Sequence, residues 1–125
     1  MEYELNYIVK VNSYADKVKV INHLVETQDY HNALKAVRAL IEATGIVVLA
    51  KKYNSKPKNS QLSWIADSLL DYGDEYLSDW FKNVNGSLEY IYENKEINEE
   101  RVIDILLELD ELIAIVLKKY DGILS

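Results

Sequence analysis

Apolar positions return every three or four residues along most of this chain, and that period predicts five helices. The first spans about Tyr3 to Glu26, carrying Ile8, Val11, Ala15, Val18, Ile21 and Val25 on one face. Tyr3, Leu5, Tyr7, Val9 and Val11 also alternate with period two. A continuous helix is the preferred reading, because an isolated strand would find no partner elsewhere. Asp29 is placed to cap a second helix running to about Tyr53, and the short Thr27–Asp29 link predicts an antiparallel hairpin. A loop over residues 54–60 holds the sole proline. A third helix, Gln61 to Tyr72, stops at Gly73, and a fourth runs from Asp74 to about Tyr92 with Leu77, Trp80, Phe81, Val84, Leu88 and Ile91 at helical spacing. Gly86 inside the fourth costs roughly 1 kcal/mol relative to alanine and is a candidate bend. The fifth opens on Glu99 and Glu100 and closes on Lys118 and Lys119, charges that suit the two ends of a helix dipole. Asn98 can cap it and Gly122 can stop it. Its core arc is read as Val102, Leu106, Leu109, Ile113, Val116, Leu117 and Tyr120.

The stretch from Ala33 to Ala50 breaks the amphipathic pattern. Its polar side chains are Lys35, Arg38, Glu42 and Thr44, and past Thr44 it is apolar on every side. Such a helix must be surrounded by protein, so the second helix is expected at the centre of the bundle. The fold predicted is all-α, one domain of about five helices covering residues 1–125. Ile46 and Leu49 continue the polar stripe of the second helix as apolar residues, and Leu107 and Ile115 interrupt the outer face of the last helix. Apolar groups where water is expected mark these four as candidates for a contact between two copies, and a homodimer is the oligomer expected.

Charge sharpens the picture. Residues 67–111 hold 14 of the 21 acids and three bases, a local net of −11 within an overall net of −7. The rest of the chain is basic on balance, with Lys51, Lys52, Lys56 and Lys58 around one turn. An acidic balance argues against nucleic acid as the partner. On the last helix Asp104, Glu108 and Glu111 lie on the outer side with Glu100. Two readings stay open: ordinary solvated helix faces, or a negative face that meets a basic protein. The chain has no cysteine, which excludes disulfides and thiol chemistry. No N-terminal run has the form of a signal peptide, and the longest apolar run is too short for a bilayer. No membrane association and a cytoplasmic location are expected.

Few residues invite chemistry. Asp110 falls within the apolar arc of the last helix, where a carboxylate must be paired, hydrogen-bonded or in water, and Arg38 is its candidate mate as a buried polar pair. His31, Lys35, Arg38 and Glu42 form one stripe, with Arg38 and Glu42 at i,i+4 spacing. Seven of the thirteen aromatics lie between Trp64 and Tyr92, a density that suits core packing better than base stacking. The two histidines lack the Glu-x-x-His context of a metal bundle, and no Gly-rich phosphate loop or nucleophile elbow is present. No catalytic residue, metal or cofactor is expected.

Four segments carry a resemblance to a known family: LVETQDY closing the first helix, HNALKAVRALIEATG, KPKNSQLSWIADSLL, and the last helix ending in LIAIVLKKY. Their order resembles the HEPN superfamily of small helical bundles, which occur in prokaryotic toxin–antitoxin, defence and nucleotidyltransferase-associated systems. The resemblance implies an up-down bundle that forms a homodimer. Ribonuclease members carry an arginine followed four to six residues later by histidine, whereas here both histidines precede Arg38 and Arg101. The chain therefore resembles the non-catalytic members, and the partner implied is a nucleotidyltransferase-like protein or a small ligand. The acidic stretch supports a second expectation, an immunity or antitoxin-type protein that masks a basic toxin or a nucleic-acid-binding partner.

Overall fold

The computed structural model describes residues 14–56 and 58–119. Among these lie five helices: α1 Tyr14–Glu26, α2 Tyr30–Tyr53, α3 Leu62–Asp71, α4 Glu75–Glu93 and α5 Glu99–Lys119. The all-α, single-domain bundle expected from the periodicity is what forms. The opening of the first predicted helix, Tyr120 and Gly122 lie outside the described residues.

Local chemistry sets the boundaries. Asp29 caps α2, its carboxylate accepting from the Asn32 backbone N–H at 3.4 Å and from the Asn32 amide at 2.9 Å. Asn54 ends α2 in the left-handed region at φ 51°. Gly73 turns α3 into α4 at φ 83°, a conformation that a β-carbon would strain. Asp74 then caps α4 by accepting from the Leu77 N–H, and Asn98 caps α5 by accepting from the Arg101 N–H at 3.0 Å. The α4 helix runs unbroken through Gly86.

Consecutive helices alternate in direction with one exception. Ile65 lies against Gly45 and Tyr72 stacks on Tyr53, so α3 runs beside the second half of α2 in the same sense. Phe81 also meets Gly45, and Tyr53 bonds Asp74, so α4 runs the opposite way. Lys119 reaches Asp74 at one end while Tyr30 and Glu99 share a cleft at the other, so α5 runs parallel to α2.

The centre of the bundle is α2. Every residue from Ala43 to Leu49 is buried within the single chain, as the all-round apolar character of this stretch requires. Gly45 lets α3 and α4 approach α2 closely. A β-carbon there would stand 2.7 Å from Ile65 Cγ2 and 2.9 Å from Phe81 Cζ, inside van der Waals contact. Thr44 satisfies its buried hydroxyl on the Leu40 carbonyl at 2.8 Å, and Ser78 ties α4 to α3 through the Ala66 carbonyl at the same distance. Burying each large side chain of this core stabilises the fold by roughly 1.5–3 kcal/mol before entropy is subtracted.

Two interface assignments are corrected by this packing. Ile46 is 0% exposed and Leu49 1% exposed inside one chain, because the other helices of the same chain already enclose α2. Neither is available to a second copy. Ile115 is partly buried against the core, and Leu107 alone of the four stands open, at 60% exposure.

Candidate functional site

The last helix positions the most distinctive surface. Val102, Ile105, Leu109, Leu112 and Val116 point α5 into the core. That rotation turns Asp104, Glu108 and Glu111 away from α2. The α4 and α5 helices meet only sparingly, and a groove of about 670 Å³ opens between them. Gly86 and Tyr90 contribute one wall, and Arg101, Asp104, Leu107 and Glu108 the other. At Gly86 a β-carbon would meet nothing within 4 Å, so this part of the wall has room for a side chain from outside.

Electrostatics inside the groove are unbalanced. Burial pushes the Glu108 carboxyl above its ordinary value of 4.5, and the neighbouring Glu111 and Asp104 charges add to the shift. Arg101 does little to relieve it. Its guanidinium donates to Glu96 Oε2 at 2.8 and 3.1 Å and stands 3.8 Å from Asp104, with its carbon 5.9 Å from the Tyr90 ring centroid. The Glu96 bond holds Arg101 charged, raising its pKa. The groove thus combines a partly buried carboxylate that resists ionising with exposed apolar surface on Tyr90 and Leu107. It suits a cationic group on an apolar stem.

The expected Arg38–Asp110 pair does not form. Arg38 donates from Nε to Glu42 at 3.0 Å, the i,i+4 pair that their spacing allows, and lies in a separate cleft with His31, Lys35 and Tyr92. Asp110 is exposed and accepts a hydrogen bond from the Tyr14 hydroxyl on α1. The helical wheel places Asp110 in an apolar arc, but its own side of α5, with Ile103, Ala114 and Leu117, is exposed. Arg38 therefore has no path to it.

Sequence reasoning placed Asp74 at the start of the fourth helix and missed both its capping and its further role. Its side chain is 1% exposed, and it accepts from Tyr53 at 2.8 Å and from Lys119 at 3.0 Å. Tyr53 stacks on Tyr72 with ring centroids 4.9 Å apart, and the Lys119 ammonium sits 5.8 Å from the Tyr76 ring centroid. This network latches the ends of α2, α4 and α5 together. The aromatic-rich stretch is divided between such end contacts and the core, where Trp80 meets Phe81 edge-to-face at 5.1 Å. Among the described residues, no group of three or more histidines and acids is brought together as a metal site, and no helix is long and apolar enough to cross a membrane.

No protein-family model, curated protein or solved structure matches this chain.

Proposed function

We propose that this chain is a non-catalytic helical binding and regulatory module that holds a basic protein segment in the α4–α5 groove. The observation that carries this reading is Glu108, a carboxylate held above its ordinary pKa by burial and by two neighbouring acids in an open groove. A lysine or arginine placed there would offset the like-charge repulsion and favour the ionised form. Tyr90 and Leu107 supply apolar surface for the stem of that side chain. The local net of −11 over residues 67–111 would draw a basic partner in from a distance.

This is the chemistry of an immunity or antitoxin-type protein that masks a basic toxin. It also fits the regulatory role of nuclease-inactive HEPN bundles beside a nucleotidyltransferase-like partner. The test is calorimetric titration of the purified protein with a synthetic amphipathic peptide of alternating lysine and leucine blocks, against the same peptide with glutamate for lysine. Capture of the lysine peptide alone is expected, with affinity falling steeply as salt rises and lost in Glu108→Lys. Equal affinity for both peptides, or a Glu108→Lys protein that binds as before, would reject the groove.

A further inference from the structure

The last helix carries a second apolar seam that stands exposed among the described residues. Inward, Val102, Ile105, Leu109, Leu112 and Val116 recur at steps of three, four, three and four and fill the core. Ile103, Leu107, Asp110, Ala114 and Leu117 recur at steps of four, three, four and three, and all five are exposed. Single exposed apolar residues are normal on a protein surface and ask for no explanation. Four apolar side chains out of five at heptad spacing make a straight stripe along one face, the pattern by which one helix receives another. Ile103 is 41% exposed, Leu107 60% and Leu117 54%. The lone polar member, Asp110, already accepts a hydrogen bond from Tyr14, so covering it would not strand a bare carboxylate.

The charges beside the seam choose its occupant. Acids crowd the first half of α5, at Glu99, Glu100, Asp104 and Glu108, and lysines close it at Lys118 and Lys119. Two α5 helices packed in parallel would lay their acidic first halves side by side. Packed antiparallel about a two-fold axis, the acidic half of each meets the basic end of the other. When Leu107 faces Leu117 of the partner subunit, Asp104 faces Lys118 of the partner subunit, and the symmetry makes each pairing twice, against the single approach of Glu111 to its own copy at the axis. We propose that the seam is the contact of an antiparallel homodimer, α5 against α5. This goes beyond the groove reading and does not depend on it, because Ala114, Leu117 and Lys118 do not line the groove. Leu107 and Asp104 belong to the ridge that both surfaces share.

The test is sedimentation velocity on the full chain from micromolar to hundreds of micromolar, with helix content followed by circular dichroism. The parent is expected to reach twice the mass of one chain. Leu117→Asp, at an exposed position, is expected to keep its helix content and to raise the dissociation constant at least about tenfold. Asp104→Lys and Lys118→Asp are each expected to weaken the dimer, and the two together in one chain to restore it, because the swap preserves both cross-pairs. A single-chain mass at every concentration overturns the proposal. So does a double variant no tighter than the singles, which removes the antiparallel pairing. A protein that stays single-chain alone and gains mass only with the lysine–leucine peptide overturns it too, assigning the ridge to a foreign helix.

Discussion

Glu108 decides what a single side chain contributes here. A carboxyl whose pKa is raised on folding binds more protons in the folded state than in the unfolded one. Stability therefore falls as pH climbs from the ordinary value of 4.5 through the raised value, and the penalty is fully present above it. Glu108→Gln removes the charge and keeps the shape. The variant is expected to melt above the parent at neutral pH and together with it below pH 4.5, as differential scanning calorimetry across that range would register. Equal melting at neutral pH would mean that the carboxylate is relieved by solvent and stores nothing for a partner. The same substitution should weaken capture of the lysine peptide, so stability and binding are expected to move in opposite directions. That opposition separates a site from a structural residue, whose loss lowers both.

Among the elements, the latch at one end of the bundle and the face of α5 show where local pattern stops being informative. Asp74 joins its own helix cap to Tyr53, 21 residues away, and to Lys119, 45 residues away. Its capping role is readable from the short turn after Gly73. Its two distant partners are not, since nothing in the spacing of Tyr53 or Lys119 points to it. Asp74→Ala removes a cap and leaves the tyrosine hydroxyl and the ammonium without that acceptor. It is expected to cost about 3 kcal/mol, seen as a lower urea midpoint at an unchanged slope. The identity of α2 as the central helix was legible because Ala43 to Leu49 has no polar face to turn outward. The rotation of α5 was not. With Ile103, Ile105, Leu106, Leu107, Leu112 and Leu117 spread round its circumference, the wheel offers two apolar seams of similar strength. The reading from sequence placed Leu106 and Leu117 in the core, whereas the fold buries Ile105 and Leu112 and turns Leu117 outward. Only the surroundings of α2, contributed by four other helices, break that tie. The same tie hid the groove, because the rotation of α5 decides which acids stand beside α4.

At the scale of the whole molecule, the question is whether charge steadies the bundle or strains it. The pairs at or near the surface include Arg38–Glu42, Arg101–Glu96 and Arg101–Asp104, the last at 3.8 Å. Surface pairs of this kind contribute roughly 0–1 kcal/mol each. Against them stands a local net of −11 over residues 67–111, most of it on the neighbouring helices α4 and α5. Mutual repulsion of that many acids acts over the whole face and is what salt screens best, since the Debye length shrinks to about 10 Å at 0.1 M. The Asp74–Lys119 pair, with its carboxylate out of water, is screened much less. Repulsion should therefore outweigh attraction. The melting temperature is expected to rise as sodium chloride is added to a low-salt buffer, while capture of the lysine peptide weakens over the same range. A melting temperature that fell with salt would show that the pairs dominate, and the acidic face would then be a solvated surface already in electrostatic balance. A rise would mean that the folded chain carries an unrelieved excess of negative charge, which a basic partner could neutralise and thereby stabilise the fold.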